Sequence, residues 1–149
     1  MSRSHDPRNE SMRLLAVFLA SALALTCAVS SRAALPIKSK QMLEQEASHV
    51  LAGKIVRIVE TRKPSGPSEV LVSVVAHLAV FAVLKGEEVR LGDEVPIRYW
   101  YSQWLPPALP SPGDHGHYNR PAEGNEVLVY LTGTLANGLA VIRPNGFAK

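Results

Sequence analysis

A short polar cluster in the second half of the chain contains the residue types best suited to chemistry. It consists of Asp114, His115, Gly116 and His117. Two histidines one residue apart, beside a carboxylate, can supply three ligands to zinc or copper, and the glycine permits the tight backbone that this requires. No fourth ligand follows nearby. The alternative is a solvated turn without a metal cofactor, whose histidines bind backbone groups or pack against Tyr118.

Aromatic residues crowd the segment just before this cluster, at Tyr99, Trp100, Tyr101 and Trp104. Exposed rings there could stack on sugars or hold a peptide. Alternatively, every second ring fills the core and the others lie beneath the following loop. Trp100, Trp104 and Tyr118 are therefore candidate residues for binding a ligand or partner.

The sequence carries none of the short motifs that mark common enzyme classes. G-x-S-x-G, the P-loop and H-E-x-x-H are all absent. Ser102, Ser111, Asp114 and His115 form a triad only if a particular loop geometry is assumed. The expectation is therefore a protein without enzymatic activity.

A valine-rich stretch, Val70–Leu84, is the most regular part of the chain. We expect the sheet that positions these groups to be organised around it. Its even-numbered residues form an unbroken apolar row, and its odd-numbered row is interrupted only by Ser73 and His77. Period-two patterning with dense β-branched residues favours a strand. Because both rows are largely apolar, the expectation is a strand buried on both faces, at the centre of a barrel or sandwich.

The remaining segments complete an all-β plan. The predicted elements are a short helix in Ser39–Ala47 and strands at His49–Glu60, Val70–Leu84, Glu94–Tyr101, Glu126–Thr132 and Leu139–Arg143. Gly53 interrupts the alternation of the first strand and predicts a bulge or bend. A proline-rich loop, Ser102–Asn125, separates strands three and four. This order predicts a small five-stranded OB-like barrel with a short N-terminal helix.

The N-terminus has the layout of a secretory signal peptide. Met1–Arg13 carries three arginines, Leu14–Val29 is an apolar run of 16 residues, and small residues follow. Cleavage is expected after Ala33 or Ala34, which gives residues 1–33 as signal peptide and 34–149 as the barrel domain. The alternative is a retained anchor, although the run is shorter than the roughly 20 residues needed to span a bilayer. The mature protein is expected in the periplasm or outside the cell, without membrane contact.

Cysteine content and charge limit the function further. Cys27, the only cysteine, lies in the apolar run. The residues that precede it match a lipoprotein modification site poorly. Residues 34–149 therefore offer no disulfide and no thiolate ligand. They carry 12 Lys and Arg against 11 Asp and Glu, a net charge of +1. Without a basic stripe in the sequence, nucleic acid is not an expected partner.

Three stretches resemble a known arrangement in small exported bacterial proteins, namely Ala47–Val56 (ASHVLAGKIV), Phe81–Gly86 (FAVLKG) and Gly124–Leu131 (GNEVLVYL). Over Leu43 to Phe147 the chain resembles the OB-type barrel of tissue inhibitors of metalloproteinases and netrin-like modules. Those inhibitors place an N-terminal cysteine on the zinc of their target. No residue matches that cysteine after cleavage, so the resemblance implies the barrel rather than the inhibitory activity.

Together these features predict an exported binding module that contacts a protein or glycan partner through the loop between strands three and four. A metalloproteinase-inhibitor-like protein and a histidine-based metal-binding protein are the alternatives.

Overall fold

The valine-rich stretch forms one long strand, as its pattern predicts. The structure, a computed structural model, describes residues 34–110 and 113–148. The predicted signal peptide, residues 1–33, lies outside the described residues. In chain order the elements are α1 (Lys40–Glu46), β1 (His49–Pro64), β2 (Glu69–Lys85), β3 (Glu94–Trp104), β4 (Glu126–Thr132), β5 (Leu139–Val141) and β6 (Phe147–Ala148). Ser39 caps the helix, since its side chain accepts a hydrogen bond from the Met42 amide.

Only one face of β2 is buried. The inner row is at most 3% exposed and consists of Val72, Val74, Ala76, Leu78 and Val80. The outer row is half-buried or exposed and consists of Leu71, Ser73, Val75, His77, Ala79 and Phe81. The expectation that both faces are buried is therefore wrong. An antiparallel sheet can bury one face in the core and leave the other in contact with solvent, whatever the composition of its outer row.

Five strands close into a ring around this inner row. β2 pairs antiparallel with β1 and β3, β3 pairs parallel with β5, and β4 pairs antiparallel with both β5 and β1. The resulting order, β1-β2-β3-β5-β4 and back to β1, confirms the all-β class. The short β6 adds a sixth strand that the sequence reading did not predict, and it pairs with β4.

Bulges bend the two longest strands. The pairing of β1 with β2 shifts between Ala52 and Gly53, where Phe81 is the extra residue of β2. A Cβ atom on Gly53 would lie 2.6 Å from the Ala79 carbonyl oxygen. The glycine therefore allows β1 to pass close to β2, which confirms the predicted bulge. A second shift leaves Val56 as an extra residue in β1.

The helix covers a second, smaller apolar cluster on the outside of the ring. Leu43 and Ala47 pack there with Val50, Tyr130 and Ile142. Across residues 34–110 and 113–148, no helix has the length and apolar character needed to cross a membrane.

Truncating the inner row should destabilise the protein far more than truncating an exposed residue of the same strand. Leu78 is fully buried and Leu84 is 62% exposed. Leu78→Ala should lower the free energy of unfolding by about 2–5 kcal/mol, whereas Leu84→Ala should change it by about 0.5 kcal/mol or less. Urea denaturation measures both. Equal losses would contradict the one-sided burial of β2.

Candidate functional site

The second half of the loop between β3 and β4 is bonded to the edge of β3. The amide of Ser102 donates to the His115 carbonyl at 3.0 Å, and the amide of His117 donates to the Trp100 carbonyl at 2.9 Å. Gly116, between them, has φ of +81° and packs on Trp100, so that a Cβ atom would lie 2.8 Å from the indole Cε3. Only glycine fits this turn without strain. The loop is thus held against the sheet at its base.

His117 is the buried anchor of this segment, at 4% exposure. Its Nδ1 lies 2.9 Å from the Trp100 carbonyl oxygen, and its Nε2 lies 3.0 Å from the Val141 carbonyl oxygen. The ring therefore links the loop to both β3 and β5. Burial lowers the pKa of the His117 imidazole below its usual value, although the two carbonyl contacts act in the opposite direction. Both ring nitrogens face protein groups, so the ring is a structural link.

The three predicted metal ligands point to different partners. Asp114 accepts a hydrogen bond from the Gly116 amide at 2.9 Å and forms an ion pair with Arg143. The ring of His115 packs edge-on against Trp104, with centroids 5.8 Å apart. Asp114, His115 and His117 thus do not converge in this conformation. Among residues 34–110 and 113–148, no three His, Cys, Asp or Glu side chains are grouped as a metal site.

The predicted aromatic residues divide as strand alternation requires. Tyr99 and Tyr101 are buried in the ring, at 5% and 8% exposure. Trp100 and Trp104 lie half-buried on the outer side of β3, where the loop covers them. Tyr118 forms its hydrogen bonds with other parts of the chain. Its hydroxyl donates to the Leu35 carbonyl, and its amide donates to the Pro144 carbonyl.

The first half of the loop presents an apolar tip, which we define as Leu105–Pro110 (LPPALP). Leu109 is 85% exposed and Leu105 is 45% exposed. The tip is fixed at its start, since the Leu105 amide donates to the Ser68 carbonyl at 2.9 Å. The Ala108 amide also donates to the Leu105 carbonyl at 3.1 Å, which forms a tight turn. The tip is therefore an anchored run of six apolar residues, of which only Ala108 is half-buried.

A groove of about 800 Å³ runs across the outer side of β2, β3 and β5. Its lining includes apolar Leu71 and Val75, the hydroxyls of Ser73 and Ser102, and the ring of Trp100. This volume is in the range of ligand-binding clefts.

Two arginines line the groove, and sequence reasoning singled out neither. The guanidinium of Arg143 lies 5.5 Å from the centre of the Trp100 ring. Arg98 packs against Gly138, where a Cβ atom would lie 2.6 Å from the arginine Cζ. The Asn137-Gly138 turn was the signal available in the sequence, but its contact with Arg98 depends on the parallel pairing of β3 with β5.

A polar cluster also lies at one end of the ring. Tyr101 donates to Glu60 at 3.0 Å, Arg62 pairs with the same carboxylate, and Arg120 lies 4.4 Å from the Tyr101 ring centre. The bond from Arg62, followed by that from Tyr101, lowers the pKa of Glu60. Burial raises the pKa of Tyr99 to about 12, so this phenol stays neutral. The cluster is satisfied internally.

Comparison with known proteins gives no match, whether with a protein-family model, a curated protein or a solved structure. The site is therefore interpreted from its geometry.

The lowered pKa of His117 should make the folded state less stable in mild acid. At pH values above the ordinary histidine pKa of about 6.5, the His117 ring is neutral in both the folded and the unfolded state. As the pH falls below that value, the unfolded chain binds a proton that the folded state accepts only at lower pH, so stability decreases. Thermal unfolding between about pH 7.5 and 5 should show this decrease, and His117→Gln should flatten it.

His115→Gln is the matched control and should keep the pH dependence of the unmodified protein. An NMR titration of the folded protein provides a second measurement that does not depend on the variants. A His117 ring that titrates at or above the ordinary value would contradict the interpretation.

Proposed function

We propose that the chain is exported and that its barrel domain is a non-enzymatic binding module, which contacts a protein partner through the apolar tip. The observation that carries the proposal is the tip itself, six apolar residues on an anchored loop, all exposed except the half-buried Ala108. Leu109 at its apex is 85% exposed. Soluble proteins rarely display contiguous apolar surface without a function.

The OB-type barrel belongs to the same proposal. It is supported by the ring order and by the parallel pairing of β3 with β5 within an otherwise antiparallel ring. It is also supported by the position of the long loop between β3 and β4. In such barrels, loops on a rigid sheet commonly carry the contact residues.

The geometry of the loop favours a partner with an apolar pocket. Prolines at 106, 107 and 110 restrict the tip, and the bonds at Ser102, Leu105 and His117 fix its base. A loop already held in one shape loses little conformational entropy on binding. Leucine side chains that insert into a pocket can then supply the central contacts.

Ser48 and His49 form a serine–histidine pair that is not arranged for catalysis. Ser48 Oγ lies 2.9 Å from Nδ1 of His49, whose Nε2 lies 3.8 Å from Glu88. However, the Ser48 hydroxyl also donates to the carbonyl oxygens of Gly133 at 2.8 Å and Leu131 at 3.2 Å. These acceptors compete for its single hydrogen, so His49 is not placed as its general base.

Photo-crosslinking from the tip tests the proposal. A photoreactive amino acid at position 109 should crosslink one specific protein in the producing cells, identified by mass spectrometry. The same amino acid at Leu91, which is 73% exposed on the β2–β3 connection, is the matched control and should not crosslink it. The paired substitution Leu105→Ser and Leu109→Ser should abolish capture of the identified partner by the purified protein.

Two results would contradict this proposal. One is equal crosslinking from positions 109 and 91. The other is capture that is unchanged by the paired serine substitutions. Specific retention of the protein on a glycan array, lost with the same substitutions, would assign the tip to a glycan instead.

A further inference from the structure

The sheet register, with the extra residue Val56 in β1, brings four basic side chains to one face, three of them on β1 and the fourth on β3. Cross-strand partners share a face of a sheet. Four exposed cations pair with outer-row residues of β2, in the pairs Lys54–Ala79, Arg57–His77, Lys63–Leu71 and Arg98–Val75. We call the outer side defined by Lys54, Arg57, Lys63 and Arg98 the basic face. Simple alternation does not predict this face, because the extra residue Val56 puts Lys54 on the same side as Arg57 and Lys63, and Arg98 joins them only when β3 pairs with β2.

The positive charge of the basic face is not neutralised within the fold. Among the described residues, none of its four cations forms an ion pair with a carboxylate. Arg57 instead contacts the His77 ring at 2.8 Å. Three acids flank the face: Glu94 binds His77 at 2.9 Å, Glu69 accepts from Ser102 at 2.6 Å, and Glu126 is the cross-strand partner of Lys54 on β4. Arg57, Lys63 and Arg98, which have no acid as a direct cross-strand partner, are therefore available to an external anion.

Apolar and hydroxyl groups lie between these cations. Val59, which is 48% exposed, pairs with Val75, and Thr61 pairs with Ser73. The groove described above, with Trp100 at its side, begins at this strip. A surface that alternates apolar groups and cations is complementary to an extended chain that alternates apolar and acidic side chains.

The dimensions of the basic face fit a short polypeptide. Its cations span five successive cross-strand layers, from the layer of Ala79 to the layer of Leu71. With about 3.4 Å per residue, this is about 27 Å, the length of roughly eight residues in extended conformation. The strip between the cations is concave at the groove, which suits a single chain better than a flat lipid surface.

We infer that the basic face binds an extended acidic polypeptide segment, with Arg57 and Arg98 as its principal carboxylate contacts. From the proposed function, this inference takes only that the partner is a protein. It does not depend on the apolar tip. The acidic segment lies along β2, and its carboxylates pair with the cations on β1 and β3.

Fluorescence anisotropy tests the inference with a labelled decapeptide of alternating glutamate and valine. The probe for comparison has glutamine in place of every glutamate. The full chain, purified with a C-terminal tag, should bind the acidic probe and not the glutamine probe at about 50 mM salt, and salt should weaken binding. Each removed cation should weaken it about threefold, so Arg57→Gln with Arg98→Gln should weaken it about tenfold.

The matched control removes two exposed cations elsewhere, through Lys40→Gln and Arg90→Gln, and should bind the acidic probe normally. The paired serine variant of the tip should also bind it normally, so that failure of the tip proposal and failure of this inference can be told apart. No binding of the acidic probe, or equal binding by the Arg57 and Arg98 double variant, would overturn the inference. Tighter binding of oligogalacturonate or of phosphatidylglycerol vesicles than of the peptide would also overturn it.

Discussion

The strict alternation of side chains along β2 is the constraint on which the rest of the structure depends. Val72, Val74, Ala76, Leu78 and Val80 form the inner row, which β1, β3 and the shorter strands surround. Burial of apolar surface of this kind is the main favourable contribution to folding. A slip of one residue would exchange the rows and place Ser73 and His77 in the core, so the register with both neighbours is fixed.

The same alternation determines what the outside of the protein presents. Once the inner row is buried, the outer row and its cross-strand partners on β1 and β3 face solvent. This orients Arg57 and Arg98 outward. Trp100 and Trp104 follow on the same side of β3. The loop that covers them is held by Gly116 and by the buried ring of His117, which reaches the carbonyls of β3 and β5. The position of this covering segment therefore depends on the buried imidazole of His117.

Period-two patterning was sufficient to predict five of the six strands, because alternation is a local property, whereas the two residues of β6 are too few to show it. Gly53 also indicated the bulge, since few other residues allow another strand to approach so closely. The pattern could not decide whether the outer row of β2 is covered, because apolar residues occur on solvated sheet faces as well as in cores.

Side-chain partners across the fold were beyond the sequence. The cluster of Asp114, His115 and His117 has the spacing of metal ligands, yet Asp114 pairs with Arg143 and His115 packs on Trp104. Those partners lie just after β5 and at the end of β3, two strands that are distant in the chain and pair in parallel. The basic face was missed because the extra residue Val56 changes the alternation along β1, and because Arg98 joins the three cations of β1 only through the pairing of β2 with β3.

A cysteine scan along β2 tests the one-sided burial most directly. Cys27 is the only cysteine, so replacing it with serine allows single cysteines to be placed at each position from 71 to 80 in turn. With a thiol reagent under native conditions, odd positions should react rapidly and even positions slowly, in a strict period of two. Slow reaction at both sets of positions, or a period near 3.6, would contradict the account.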